Sequence, residues 1–206
     1  MIRQAVILCG GLGTRIGALT AQTPKPLLRV GDIPFLDVLL FELGRHGLRR
    51  ILLLAGFAAD RVLEYVTATP MKTQFGLEIE VMIEPRRAGT GGAVWHARDR
   101  LDDTFLLLNG DSWFDINLLE LAARTVRDPS ATAGIALRFL STMPHVSVLL
   151  KSRARGSPSF TAVRITREAA SSMAGSTSVA ASFLITFGHL ARSRRTHFQA
   201  LLVTES

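Results

Sequence analysis

The sequence predicts an α/β protein built around a mainly parallel sheet. Up to Phe139, short apolar runs alternate with segments of helical periodicity, which is typical of successive strand–helix units. The chain has 206 residues, of which 48% are hydrophobic and 20% charged, so it is long and apolar enough to bury a core. Glycine-rich or polar segments follow three of the predicted strands, and in such sheets ligands bind at the carboxyl ends of the strands.

Two strands and two helices are predicted in the first part of the chain. Ala5–Cys9 is an apolar run that leads into a glycine-rich turn, as a buried parallel strand does. Pro34–His46 is predicted as a helix, because proline is favoured in a first helical turn. Arg50–Phe57 and Asp60–Thr67 follow as the next strand and helix. Leucines recur at helical spacing in the first helix: Leu36, Leu39, Leu40 and Leu43.

Three strands and two helices are predicted further along. Leu77–Ile83 is the third strand, and Gly91–Arg100 is a helix with a glycine-rich start. Thr104–Leu108 is a fourth strand that consists mostly of leucine. A helix that Asn117 caps runs to about Val126, and Ala131–Phe139 is a fifth strand.

The net charge of +7 belongs entirely to one end of the chain. Residues 1–128 hold 15 basic and 15 acidic side chains, whereas residues 129–206 hold 9 basic side chains and two acids, Glu168 and Glu205. Serine and threonine rise from 10 in the first stretch to 21 in the second. Folded α/β domains rarely change composition so abruptly, so we treat the two stretches separately.

Several classes of protein are excluded by composition. The single Cys9 excludes an internal disulfide and a metal site built from cysteines. No apolar run reaches the ~20 residues of a membrane-spanning helix, and the apolar stretch near the N-terminus is too short for a secretory signal. The sequence therefore predicts a cytoplasmic protein with no membrane partner.

The segment Gly10–Arg15 is a candidate phosphate loop. Its three glycines, which follow a predicted strand, allow backbone N–H groups to approach a phosphate closely. Ile16 breaks the dinucleotide fingerprint, and no Gly-Lys-Ser/Thr follows as in a P-loop, so both of those classes are excluded. Arg15 adds a cation; the alternative is a tight turn with a surface arginine.

Lys25 is held between two prolines, Pro24 and Pro26. Both rings restrict the neighbouring backbone, so the ammonium is presented with little freedom. This favours a cation that meets a phosphate over an ordinary loop lysine.

Two further segments follow predicted strands. Asp111 comes at the end of Asn109-Gly110-Asp111, where a carboxylate can hold Mg²⁺ against phosphates, although such an acid alone is as often a cap. Glu84 precedes the glycine-rich stretch 88–92, which suits a base or ribose lying against the backbone or, equally, an ordinary helix entry.

Together these segments resemble the sugar-phosphate nucleotidyltransferases. The resemblance rests on four motifs in the family's order and spacing over residues 1–128: Ile7–Arg15, Pro24–Leu27, Gly89–Ala93 and Leu108–Asp111. It implies a Rossmann-like three-layer nucleotidyltransferase fold with a mainly parallel sheet. Within the family the motifs are most similar to D-glycero-α-D-manno-heptose 1-phosphate guanylyltransferases, with mannose-1-phosphate guanylyltransferases and glucose-1-phosphate thymidylyltransferases as near neighbours.

The resemblance also implies the partners and the roles of residues. The partners are an NTP, with GTP favoured, a sugar 1-phosphate and Mg²⁺, and no nucleic acid. Arg15 and Lys25 are the catalytic residues, and Asp111 is the metal ligand. Asn109 and Gly110 contact the sugar substrate. The nucleotide contacts Leu8, Gly10, Gly11, Gly13, Thr14, Glu84, Gly89, Thr90 and Gly91.

The resemblance stops near residue 140, so we predict a nucleotide-binding core over residues 1–140 and an atypical Ser/Arg-rich tail over 141–206. The family's second half carries a Glu-Lys pair, an Asn-Gly-Gly strand segment and a late metal-binding Asp. Here no aspartate follows Asp128, and Lys151 follows a leucine. Either a frameshift begins near residue 140 or the tail is a divergent, partly disordered basic segment.

Other readings remain open at this point. A catalytically impaired nucleotide-binding or regulatory homologue would keep the glycine loop without the sugar half. A nucleic-acid binder would rest on the arginines of the tail, which lack interleaved aromatic residues. A homo-oligomer is compatible with the sequence, which does not fix the oligomeric state.

Overall fold

The computed structural model describes residues 2–11, 20, 22–113, 115–127, 133–139, 148–150, 163–165 and 179–187. The helices are α1 (Phe35–Arg45), α2 (Ala59–Ala68), α3 (Met71–Phe75), α4 (Gly89–His96) and α5 (Leu118–Arg127). The strands are β1 (Gln4–Leu8), β2 (Arg29–Val30), β3 (Ile33–Pro34), β4 (Arg50–Ala55), β5 (Glu78–Ile83), β6 (Phe105–Asn109), β7 (Ala133–Phe139), β8 (Val148–Leu150), β9 (Val163–Ile165) and β10 (Val179–Phe187). No helix in these ranges is long and apolar enough to cross a membrane.

The main sheet has six strands in the order β5-β4-β1-β6-β10-β7. The first four are parallel, while β10 runs antiparallel to both of its neighbours, so β7 has the direction of the first four. The predicted mainly parallel sheet is confirmed. The chain adds β4 and β5 on one side of β1 and then β6 on the other, which makes the carboxyl end of β1 the switch point of the topology.

The sheet is covered on both faces, so the predicted three layers are confirmed. Alternate residues of each strand point to opposite faces. In β1, Ala5 and Ile7 pack with the helices α1, α2 and α5, whereas Val6 packs with α4. The leucines predicted for the first helix are buried in the former layer. Burying a leucine side chain contributes about 1.5–3 kcal/mol, so α1 is held mainly by its apolar face.

Most predicted elements are confirmed to within a few residues, and the predicted cap is present. Asn117 Oδ1 accepts a hydrogen bond of 3.0 Å from the backbone N–H of Glu120. The helix α4 starts earlier than predicted, at Gly89, and ends at His96, before a separate 3₁₀ turn.

Some elements have no counterpart in the sequence predictions. The five-residue α3 lies between Pro70 and Gly76, which adopts φ +61 at its C-cap; these two residues were the available signal. The short β2–β3 hairpin was also missed. The sheet strand β10 lies in the Ser-rich part of the chain, although the division at residue 140 stays a prediction.

The amino end of β1 carries a buried polar side chain. Gln4 is only 3% exposed. Its amide donates a hydrogen bond of 2.7 Å to the carbonyl of Arg100 and accepts one of 2.8 Å from the N–H of Asp102. Arg50, at the start of β4, pairs with the Asp102 carboxylate at 2.5 Å. This edge of the sheet is therefore tied together by internal polar contacts.

Candidate active site

The carboxyl ends of β1, β4, β5 and β6 form one edge of the sheet, and backbone hydrogen bonds continue past the strand ends there. The N–H of Cys9 donates to the Leu54 carbonyl at 2.8 Å, and the N–H of Gly110 donates to the Leu8 carbonyl at 3.0 Å. The N–H of Glu84 likewise donates to a β4 carbonyl, at 2.8 Å. The structure thus brings three of the predicted site segments to one edge.

Gly10 lies in close contact with two other strand ends. A Cβ atom on Gly10 would lie 2.6 Å from Glu84 Oε1, and one on Gly56 would lie 3.2 Å from Gly10 Cα. The absence of a side chain at Gly56 lets the two backbones approach this closely without a shift. Gly11 is exposed, with nothing within 4 Å of its Cβ position. Sequence analysis missed Gly56, although a glycine directly after an apolar strand was a usable signal.

The Glu84 carboxylate lies against this glycine contact. It is half-buried, and burial raises its pKa because the charged form loses hydration. The positive charge of Arg87 opposes this effect and lowers the pKa. The site therefore presents an acceptor-rich group beside an open glycine backbone.

Lys25 and Asp111 form an ion pair although 86 positions separate them. Lys25 Nζ lies 3.0 Å from Asp111 Oδ2, and the two side chains are 23% and 41% exposed. The hydroxyl of Ser112 donates to the other carboxylate oxygen at 3.3 Å. Sequence analysis assigned a phosphate cation and a metal ligand to these two positions, and the fold places them in direct contact.

A short 3₁₀ turn positions Lys25 above the end of β6. The turn begins after Pro24 and buries Pro26. A Cβ atom on Gly110 would lie 2.7 Å from Pro26 Cγ and 2.6 Å from the Leu8 carbonyl oxygen. Asn109 sits opposite Leu8 in the strand register. The absence of a side chain at Gly110 lets the lysine turn pack against the strand ends.

The chemistry of Asp111 fits a magnesium ligand. Among the residues that the structure describes, no group of three or more His, Cys, Asp or Glu side chains could enclose a metal ion. Mg²⁺ is commonly bound through one or two carboxylates together with water and substrate phosphates. A single exposed carboxylate at the mouth of the sheet meets that requirement.

The predicted glycine-rich segment forms the first turn of α4. Gly89 adopts φ +68, which a residue with a side chain rarely does, and Gly92 faces the Ala88 side chain. Thr90 and Gly91 lie in the same turn, where backbone N–H groups lack partners within the helix. This turn follows Glu84 along the chain.

Three predicted site residues belong to a segment that the structure does not describe, and a buried cysteine lies beside Gly10. Gly13, Thr14 and Arg15 lie outside the described residues. Cys9 is 1% exposed, and burial, with a smaller effect of the Asp111 charge, raises its pKa to about 12. Its thiol is therefore neutral, and Cys9 packs in the core layer that contains α1 and α2.

Comparison with known proteins identifies relatives over the core of the chain. The D-glycero-alpha-D-manno-heptose 1-phosphate guanylyltransferase of Campylobacter jejuni is 36% identical over 119 residues, which cover 57% of this chain and 52% of the relative. The chain thus spans about half the length of this curated relative.

Solved structures show the same fold. HddC from Yersinia pseudotuberculosis superposes with a TM-score of 0.69 at 21% identity, covering 91% of this chain and 77% of HddC. A second structure of HddC, complexed with GMP-PN, superposes with a TM-score of 0.67 at the same identity and coverage. Residues 4–142 match the family described as Nucleotidyl transferase, and the chain therefore belongs to the nucleotidyl transferase family.

Proposed function

We propose that this chain transfers a nucleotidyl group from an NTP, with GTP favoured, to a sugar 1-phosphate and releases pyrophosphate. The 3.0 Å contact between Lys25 and Asp111 carries the proposal. It joins a group suited to phosphate and a group suited to a divalent cation, at the edge where parallel sheets bind ligands. Membership of the family supports the same reaction class.

The reaction requires positioning and charge neutralisation more than covalent chemistry. An oxygen of the sugar 1-phosphate bonds to the α-phosphorus, the bond from that phosphorus to the bridging oxygen breaks, and pyrophosphate leaves with the electron pair. Lys25 neutralises the phosphates during transfer, and Arg15 stabilises the departing pyrophosphate. Bound Mg²⁺, with Asp111 as its protein ligand, supplies Lewis-acid neutralisation of phosphate charge.

The nucleotide lies along the glycine contact. Backbone groups of Gly10 and Gly11 approach the triphosphate, since no side chain keeps it at a distance. Glu84 reads the base. An ionised carboxylate only accepts hydrogen bonds, and guanine offers the neighbouring donors N1–H and N2–H, which supports GTP as the preferred nucleotide. Thr90 and its neighbouring glycines contact the nucleotide from the first turn of α4.

The sugar substrate lies on the β6 side of the site. Asn109 and Gly110 are next to Asp111, so they contact the sugar phosphate as it approaches the metal ligand. We propose D-glycero-D-manno-heptose 1-phosphate as the sugar, because the C. jejuni relative carries that name at 36% identity.

Pyrophosphate release tests the proposal. The purified chain would be mixed with Mg²⁺ and each of GTP, dTTP, CTP, UTP and ATP, with heptose, mannose or glucose 1-phosphate as acceptor. We expect the highest rate with GTP and the heptose phosphate, and no release without a sugar phosphate. Absence of pyrophosphate in every combination would refute the enzymatic function.

A second candidate function has a specific observation in its favour. Beyond Asp128 the only acids are Glu168 and Glu205, so no late aspartate is present to complete a metal site. A nucleotide-binding homologue without turnover would bind GTP, as calorimetry measures, and release no pyrophosphate.

A further inference from the structure

Both oxygens of the Asp111 carboxylate have a hydrogen-bond donor. Lys25 Nζ lies 3.0 Å from Oδ2, and the Ser112 hydroxyl donates to Oδ1 at 3.3 Å. The torsion that turns an aspartate carboxylate has broad minima, so hydrogen bonds decide the direction in which the oxygens point. The reaction proposed above gives a role to Lys25 and to Asp111 and none to Ser112.

The two donors differ in charge and in reach. Lys25 carries a full positive charge at the end of a four-carbon stem, and its side chain is 23% exposed. Ser112 is neutral, and its hydroxyl is attached directly to Cβ of the residue that follows Asp111. A triphosphate attracts an ammonium far more strongly than a hydroxyl. We therefore expect Oδ2 to lose its partner when a nucleotide binds, while Oδ1 keeps its own.

This difference between the oxygens is important for a metal ligand. Carboxylates that bind metal ions are themselves hydrogen-bonded, and the loss of such a partner lowers metal affinity or activity about 10–100-fold. Mg²⁺ requires nearly ideal octahedral geometry, so a carboxylate that turns freely binds it less well. The Asp111 side chain is 41% exposed, and packing against the protein therefore does little to restrain it.

We propose that Ser112 is a positioning residue for magnesium, because its hydroxyl holds Oδ1 and leaves Oδ2 to the cation once Lys25 turns to the triphosphate. The inference rests on the proposed function, since it takes Asp111 to be the metal ligand of an NTP site. In this role Ser112 contacts neither the nucleotide nor the metal. It should therefore strengthen nucleotide binding only when magnesium is present.

The magnesium dependence of GTP binding tests this role. Dissociation constants would be measured by calorimetry in Mg²⁺ and again in EDTA, without a sugar phosphate, so that the measurement does not depend on turnover. The wild-type chain would be compared with Ser112→Ala and with Ser112→Thr, which keeps a hydroxyl at this position. Thr67→Ala is the matched control, because the exposed Thr67 hydroxyl donates at 2.7 Å to the Glu64 carbonyl in the last turns of α2.

We expect the wild-type chain to bind GTP more tightly in Mg²⁺ than in EDTA. Ser112→Ala should bind GTP about 10-fold more weakly than the wild type in Mg²⁺ and equally well in EDTA. Ser112→Thr and Thr67→Ala should keep the wild-type values in both conditions. A purely structural role of Ser112 would instead weaken binding equally in both conditions and lower the melting temperature.

Three results overturn the role of Ser112 while leaving the proposed function intact, provided that the wild-type chain releases pyrophosphate. The first is a wild-type GTP affinity that does not change with Mg²⁺, and the second is an unchanged affinity of Ser112→Ala in Mg²⁺. The third is an equal loss in Mg²⁺ and EDTA, or a loss that Ser112→Thr or Thr67→Ala shares. If the wild-type chain neither binds GTP nor releases pyrophosphate, the GTP-dependent function fails and this inference fails with it.

Discussion

Polar side chains have different surroundings at the amino edge and at the carboxyl edge of the parallel strands. At the amino edge, both ends of the Gln4 amide bond to backbone groups, and Arg50 pairs with Asp102. At the carboxyl edge, Glu84 is half-buried with a raised pKa, and the pair of Lys25 with Asp111 stays open to solvent. We expect the polar groups satisfied inside the fold to contribute to stability and those with spare bonding capacity to bind ligands.

Removing the charge of Asp111 gives the sharpest test of this contrast. Asp111→Asn keeps the shape of the side chain but removes the charge that pairs with Lys25 and that we propose binds Mg²⁺. We expect turnover to fall at least about 100-fold, as it does when a group that stabilises transition-state charge is lost, with little change in melting temperature. Pyrophosphate release and thermal unfolding measure the two effects.

Asp102→Asn is the control at the opposite edge. It breaks the ion pair with Arg50 and should leave the turnover number unchanged. A similar loss of turnover in both variants would mean that the edges do not differ in function.

Two glycines of the carboxyl edge differ in the space around them. In Gly110→Ala the new methyl group meets the Leu8 carbonyl oxygen at 2.6 Å, so backbone must shift. We expect a loss of about 1–3 kcal/mol in the free energy of unfolding, together with reduced turnover as the Lys25 turn moves. Urea unfolding measures the free energy of unfolding, and pyrophosphate release measures turnover.

Gly11→Ala is the matched variant, because its Cβ position is open. Its free energy of unfolding should equal that of the wild-type chain. An unfolding curve of Gly110→Ala that coincided with that of Gly11→Ala would contradict the close approach.

The amino edge should respond through stability alone. Gln4→Leu removes the side-chain partner of two partly buried backbone groups, the Arg100 carbonyl and the Asp102 N–H. We expect the free energy of unfolding to fall by about 1–3 kcal/mol, while kcat and KM remain as in the wild type. Urea unfolding beside steady-state kinetics checks this; a kcat that drops as in Asp111→Asn would contradict it.

The smallest expected effect concerns the pH response of Glu84. Burial raises the pKa of Glu84 in the folded chain, so as pH is lowered this carboxylate takes up a proton at a higher pH than an ordinary carboxylate does. GTP affinity should therefore begin to fall at that higher pH. The same pKa shift makes the ionised form of Glu84 destabilise the fold. The contribution of Glu84 to the free energy of unfolding is most favourable below its pKa in the unfolded chain, and it is lost as pH rises through its pKa in the folded chain. Glu84→Gln should therefore bind GTP weakly at every pH and unfold at a slightly higher temperature near neutral pH.

Calorimetric GTP titrations and thermal melts between about pH 5 and about pH 8 separate these outcomes. Asp103→Asn, an exposed carboxylate two residues before the start of β6 and therefore at the amino edge, is the control and should keep the wild-type pH response. A GTP affinity that is flat over this range in the wild-type chain would show that Glu84 does not contact the base.

Local patterns in the sequence were enough for the parallel strands and for the choice of most candidate site residues, whose roles stay predictions. Apolar runs such as Arg50–Ala55 specify buried strands directly, and Lys25 and Asp111 each stood out by their immediate neighbours. Their mutual contact was not predictable, because it requires β6 to lie beside β1, which only the packed sheet decides. The contact of Gly10 with Gly56 depends on strand order in the same way.

Short or unusual elements were not predicted from the sequence, for a different reason. Five residues of α3 are too few for a helical period, and the apolar content of β10 is interrupted by small residues. The strand β10 forms because it pairs with β6 and β7. Both strands lie too far away along the chain for a local sequence pattern to show this pairing.

The Lys25–Asp111 contact has a consequence for the order of events at the site. Without ligands, Lys25 and Asp111 neutralise each other. A divalent cation alone, or a polyphosphate alone, must therefore compete with this ion pair in order to bind. A triphosphate that draws the ammonium toward itself frees the carboxylate at the same moment. The two oppositely charged ligands should therefore help each other to bind, and each alone should bind more weakly than the pair.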